Sequence, residues 1–235
     1  MERVVQGIID GLKMFFGGDP VLWEIILLSA KVSGIALVFS AVLGIPIGAF
    51  LGLVRFRGRR LVQAFVYTGM GLPPVVAGLA VYLLLSRAGI LGPLNLPFIP
   101  QLFTVSAMIL AQVIIATPMI VGYTMSAVAE VAPDLRLQVR SLGATPFQVT
   151  VAVLREARMG LIVALVGGLG SIISEVGAVM MVGGNIEGKT RVLTTAIMLE
   201  TRQGDFSLAI GLGMVLLALS FAINYGVTQL QGKGN

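Results

Sequence analysis

Charged positions along the chain fall in clusters separated by long apolar runs. No Asp, Glu, Lys or Arg occurs from Val32 to Val54, from Leu61 to Ser86, from Ala88 to Ala129, or from Phe206 to Gly232. Between Met159 and Ile186 the one charge is Glu175. A bilayer core about 30 Å thick takes about 20 helical residues to cross. The third run is longer than one crossing, but residues 89–101 read GILGPLNLPFIPQ, and their prolines and glycines predict a loop. Five spans follow, at about 25–53, 61–86, 102–128, 160–183 and 206–231. Short alternating segments of the kind that build membrane barrels do not occur. Before the spans, Val4, Val5, Ile8, Ile9, Leu12, Phe15 and Phe16 recur at helical spacing, with Glu2, Arg3, Gln6, Asp10 and Lys13 on the other face. Residues 1–20 therefore read as an amphipathic helix, lying in the lipid interface or packed on its own spans. They lack the basic start and apolar centre of a signal peptide.

Composition supports this division. The 235 residues are 57% hydrophobic and 11% charged, with a mean hydropathy of +0.98. Soluble domains carry about 25% charged residues, and disordered chains carry more. The class is all-α integral membrane. Histidine and cysteine are absent. Serine-type triads, common zinc sites and thiolate sites thereby lose their usual members, and no metal or cofactor site is expected in the chain. The net charge of +5 reads as basic loops facing an anionic leaflet. No basic-aromatic stripe accompanies it, so no nucleic-acid partner is expected.

Arg55, Arg57, Arg59 and Arg60 follow the first span with no acid among them. The positive-inside rule places them in the cytoplasm. Five spans then put the N-terminus outside, residues 130–158 inside, 184–205 outside and the C-terminus inside, in a multi-pass protein of the cytoplasmic membrane.

Several residues within the spans stand out. Gly44, Gly48 and Gly52 form a small-residue face, for a helix of the same chain or of a second copy. Pro46 predicts a kink. Pro73 and Pro74 remove two backbone donors in mid-membrane, which is tolerated where protein or a water-filled cavity satisfies the freed carbonyls. They mark either a break lining a pathway or a structural kink, and Thr117-Pro118 is a weaker instance. Glu175 should face protein or water, since a charge in hydrocarbon costs about 2.5–3.5 kcal/mol. A pathway, packing or proton-carrying role, or a hydrogen bond in the protonated form, would each fit.

Residues 183–190, GGNIEGKT, match the phosphate-loop pattern letter for letter. A membrane helix precedes them instead of a short strand, no later strand offers a magnesium-binding Asp, and Lys189 falls on the outer face. A nucleotide site, and with it a membrane-tethered NTPase, is rejected.

Residues 130–158 form the one long polar stretch between spans. Pro133 and Asp134 suit a first helical turn. Leu135, Val139 and Leu142 make an apolar stripe, and Gly143 stands where a left-handed residue ends a helix. Thr145, Pro146, Phe147 and Gln148 then spell a capping box opening a second helix. The stretch reads as helix, glycine turn, helix, with Phe147 near its tip.

This stretch, LQVRSLGATPFQVTVAVLRE (137–156), resembles the cytoplasmic signature loop of ABC-importer permeases. Gly143 matches the central glycine, while Leu137-Gln138-Val139 replace E-A-A and Arg155-Glu156 replace L-P. PPVVAGLAVYLLLSRAGILG (73–92), LREARMGL (154–161) and SEVGAVMMVGGNIEGKTRVLTTAIMLETRQGDFSLAIGLG (174–213) extend the likeness. Over about residues 25–225 the chain resembles permeases of the tungstate-importer group, relatives of the molybdate permeases. The resemblance implies a type I ABC-importer-like fold and a homodimer. It also implies a separate ABC ATPase dimer carrying ATP and magnesium, and an extracytoplasmic substrate-binding protein. Leu142, Gly143, Ala144, Thr145, Pro146, Phe147 and Gln148 would dock the ATPase, while Pro73, Pro74 and Glu175 would line the path. The chain itself would catalyse no reaction. Tungstate is the expected cargo, with molybdate, sulfate or phosphate as alternatives. A proton-coupled transporter using Glu175 is the alternative of another class.

Overall fold

The computed structural model describes residues 9, 17, 20–94 and 96–232. The amphipathic stretch expected over residues 1–20 falls almost wholly outside these, as does Lys233. Among the described residues every regular element is helical. In chain order these are α1 Pro20–Leu53, α2 Arg59–Met70, α3 Pro74–Leu85, a 3-10 turn Gly92–Leu94, α4 Val105–Glu130, α5 Pro133–Ser141 and α6 Pro146–Glu156. There follow α7 Arg158–Ile173, α8 Gly177–Gly183, α9 Leu193–Gln203 and α10 Phe206–Gly232.

Three of these, α1, α4 and α10, are long and apolar enough to cross a membrane singly. The pairs α2–α3 and α7–α8 pass the same test only as bent units, turning by 100° and 57° at their breaks. The expected second span is thus two short helices meeting at Leu72 and Pro73. The expected fourth span is broken at Ser174–Val176, so Glu175 sits at a bend and not within a helix. Proline does not act alike everywhere. α1 continues through Pro46 and α4 through Pro118, and the Thr117 hydroxyl turns back onto the Val113 carbonyl at 2.6 Å. Two successive prolines plus Gly71 break a helix where one proline among apolar residues does not.

α4 is the central element, in contact with α1, α2, α3, α7 and α8. Its seam with α1 runs in parallel and uses the glycines of the first span. A Cβ on Gly44 would lie 2.8 Å from the Ile120 side chain, one on Gly48 2.6 Å from the Val121 carbonyl, and one on Gly52 3.0 Å from the Met125 carbonyl. Backbone therefore meets backbone, which is how helices gain dispersion energy where lipid removes the hydrophobic drive between them. The small-residue face is used within the chain.

Around α4 the core divides by depth. Toward the N-terminal end of α4, Met108 and Ala111 pack with Val81 of α3 and Val179 and Val182 of α8. Toward its C-terminal end, Val128 and Val131 pack with Ala49 of α1 and with Val153 and Ala157 of the polar hairpin. Two arginines fasten this end. Arg59 donates from Nε to the Leu51 carbonyl at 2.8 Å, closing α1. Arg136 donates to the Val128 carbonyl at 3.0 Å, closing α4.

Gly48→Leu should lower the thermal unfolding temperature of the detergent-solubilised protein, because overpacking costs about 1–3 kcal/mol. Gly34→Ala, at a position with nothing within 4 Å of the added carbon, should leave it unchanged or slightly raised. Equal unfolding temperatures for both variants would refute a backbone-to-backbone seam.

Candidate functional site

Two regions hold the residues singled out by the sequence, and they lie at different depths. The first is the α5–α6 hairpin. α5 ends at Ser141 and Gly143 takes a φ of +84°. Its N–H donates to the Arg140 carbonyl at 2.9 Å, and the Ala144 N–H donates to the Val139 carbonyl at 3.3 Å. A side chain at φ > 0 meets the neighbouring carbonyl, which is why glycine stands there. The capping box is formed: the Thr145 N–H donates to Gln148 Oε1 at 2.8 Å, and the Gln148 N–H to Thr145 Oγ1 at 3.4 Å. Pro146 occupies the first turn, where its missing donor leaves nothing unpaired.

The hairpin has a buried base and a bare tip. Val149 and Val153 of α6 are buried, and Val153 joins the cluster around Val128 and Ala49. The expected stripe on α5 is divided: Leu135 and Val139 are half-buried, but Leu142 is 86% exposed. Phe147 is 77% exposed. Two large apolar side chains thus stand at the tip of an element whose turn geometry is held by four hydrogen bonds.

The second region is the pair of helix breaks, which meet. Val75, one residue past Pro74, packs at Gly177, one residue before Ala178. Gly78 lies directly on Ala178. Pro73 and Pro74 are exposed, while Glu175 is buried. The structure therefore places Pro74 beside the Glu175 bend and separates both from the hairpin tip.

Several backbone groups at the second break are paired. The Ala178 N–H donates to Glu175 Oε1 at 2.7 Å. Thr194 of α9 donates to the Glu175 carbonyl at 3.0 Å. Gln112 of α4 donates from Nε2 to the Ile172 carbonyl at 3.4 Å. Gln112 and Thr194 are buried, and neither was anticipated. A usable signal existed for Gln112, the one amide side chain in α4, since polar residues in spans bind neighbouring helices. Glu175, Gln112, Ser33 and Thr194 share a cavity of about 330 Å³ with no basic residue in its lining.

The GGNIEGKT turn is closed on itself. The Thr190 hydroxyl donates to the Gly183 carbonyl at 2.6 Å and accepts from the Ile186 N–H at 2.9 Å. The threonine that would hold magnesium in a phosphate loop is buried at 1% exposure and committed inside the turn. Past it, the Leu193 N–H donates to Ser29 Oγ at 2.8 Å, tying α9 to α1.

Residues 44–231 match the family described as binding-protein-dependent transport system inner membrane component. The chain is 40% identical to the tungstate uptake system permease protein TupB of Peptoclostridium acidaminophilum, over 98% of this chain and 99% of that one. It is 44% identical to a probable anion ABC transporter permease protein of Haloferax volcanii, over 90% and 92%. Its fold matches a bacterial ABC transporter involved in import of the acidic polysaccharide alginate, with a TM-score of 0.75 at 20% identity, covering 95% of this chain and 83% of that one. With the family matched from the first glycine of the α1 seam almost to the end of α10, the chain belongs to the inner membrane components of binding-protein-dependent transport systems.

Proposed function

We propose that this chain is the membrane-spanning subunit of an ATP-driven importer of a tetrahedral oxyanion, with tungstate as cargo. Two copies form the path. A separate ATPase dimer, carrying ATP and magnesium, docks on Leu142–Gln148, and an extracytoplasmic binding protein delivers the ion to the other face. The arginine-rich end faces the cytoplasm. The observation that carries the reading is the capped hairpin with Leu142 and Phe147 bare at its tip. The cargo follows from the near full-length similarity to a tungstate uptake permease.

The geometry accounts for coupling. A displacement at Phe147 is carried by α6 into the cluster of Val153, Val128 and Ala49. From there it reaches α1 and α4, which the glycine seam moves as one body. α7 follows α6 almost directly, at Ala157, so the same displacement tilts α7 against its 57° break. Pro73, Pro74 and Glu175 lie where the two broken helices meet, and irregular backbone at membrane depth belongs beside protein or a water-filled path. Interfaces of packed side chains switch between discrete arrangements, so a shift of about an ångström at the tip is enough to open or close that level.

Phe147→Ala should reach the membrane at wild-type amounts yet lose both ATPase co-purification and uptake, since aromatic anchors dominate docking energy, commonly by about 2 kcal/mol or more. Gly143→Val should do the same by re-aiming α6, at a folding cost of only about 1–2 kcal/mol. Wild-type co-purification of both variants would move the docking site elsewhere. Uptake by the wild type should persist when the proton gradient is collapsed and ATP is maintained.

Glu175→Gln keeps an oxygen for the Ala178 N–H, so assembly and uptake should survive. Glu175→Ala orphans that buried donor, at about 1–3 kcal/mol, and should reduce the assembled yield. Failure of uptake in a fully assembled Glu175→Gln variant would instead assign the carboxylate a proton-carrying role.

A further inference from the structure

A second polar cavity lies at the end of the fold opposite the hairpin. It measures about 580 Å³ and forms where α3 ends and the irregular stretch after it folds back. Its polar lining comes from Tyr82, Ser86, Arg87 and Gln101, and no carboxylate contributes. Three other cavities differ in this respect. The one at the helix bend holds Glu175, the one beneath the hairpin holds Glu130 and Glu156, and the one beside Lys189 and Arg191 also holds Glu24 and Glu187. Arg191 is paired with Glu187 at 3.2 Å, whereas Arg87 forms no ion pair among the described residues.

The donors in this cavity point to one kind of ligand. Ser86 spends its hydroxyl on the Leu83 carbonyl at 3.0 Å. Among the described residues, that leaves the exposed guanidinium of Arg87, the exposed amide of Gln101 and the half-buried phenol of Tyr82 without an intramolecular side-chain hydrogen bond. A guanidinium presents its N–H groups in a planar fork that matches two oxygens of an oxyanion. The rim is held in place: Phe103, at a φ of +63°, donates its N–H to the Val182 carbonyl at 2.7 Å, and the Thr104 hydroxyl donates to the Gln101 carbonyl at 2.6 Å. A bulky residue at positive φ persists only where its surroundings over-determine it, and such residues gather at functional sites.

We infer that this cavity is a receiving site for a tetrahedral oxyanion at the outer end of the path, with Arg87 as its counter-charge. The inference rests on the import reading for the identity of its ligand. An anion released from a binding protein needs a counter-charge before it enters the low dielectric between the helices. Arg87 stands one residue past the C-cap of α3, and α3 leads from it to the break at Pro74. A single guanidinium also suits transit, because a route must bind well enough to admit an ion and weakly enough to release it.

The test uses the assembled permease–ATPase complex in nanodiscs, without the binding protein, and equilibrium dialysis against radioactive tungstate or sulfate. The wild type should bind tungstate saturably. Arg87→Ala should weaken that binding by about tenfold or more, the loss expected for one charge-assisted contact, and Arg87→Lys should fall between. Co-purification with the ATPase reports that each variant is folded, and docking of the loaded binding protein is measured alongside. Equal affinity for wild type and Arg87→Ala overturns the site. So does a variant that keeps oxyanion affinity but loses binding-protein docking, which makes Arg87 a docking residue. A wild type that imports tungstate in cells but binds no oxyanion here also overturns the site and leaves the import reading intact. Arg87-dependent binding of sulfate without tungstate sustains the site and removes tungstate as cargo.

Discussion

In hydrocarbon a backbone carbonyl or amide has no water to bond, and this constraint decides where the chain can bend. The two breaks meet it in different ways. At Ser174–Val176 the fold supplies its own partners: the Glu175 carboxyl accepts from the Ala178 amide at the start of α8, Thr194 donates to the Glu175 carbonyl and Gln112 donates to the Ile172 carbonyl. Three separate helices thereby converge on one bend. At Leu72–Pro73 the prolines carry no donor to satisfy, and the break stays exposed on the face of α3. One break is buried and braced, the other open, and Val75 at Gly177 brings them side by side.

The same constraint explains the rigid part. α1 and α4 meet through glycines so closely that an added Cβ would touch carbonyls. Their ends near the hairpin are closed by Arg59 and Arg136, side chains that remove unpaired carbonyls while leaving the positive charge at the surface. The hairpin is seated on this rigid pair through Val153.

Charge is distributed to match this division. The cavity at the helix bend is mostly apolar, and its few polar groups are hydroxyls, an amide and one carboxyl with no base, while acid-free basic cavities lie at the two ends of the α2–α3 unit, one lined by Arg87 and one by Arg55, Arg59 and Arg60.

Much of this was legible in the residues themselves, because the signals are local. A span needs only a run of apolar residues, a helix start needs only Thr145, Pro146 and Gln148 at adjacent positions, and a left-handed turn needs only Gly143. Hydropathy and capping act over a few residues, so spacing along the chain reports them directly. The sequence also marked Pro73, Pro74 and Glu175 as out of place in lipid. Tertiary structure alone decided the rest. Whether Gly44, Gly48 and Gly52 face the same chain depends on where α4 runs. That the bend at Glu175 is braced from other helices depends on Gln112 and Thr194, which lie 63 residues before it and 19 after it in the chain. These are satisfied hydrogen bonds and close contacts between distant segments, and no periodicity along a single segment can encode them.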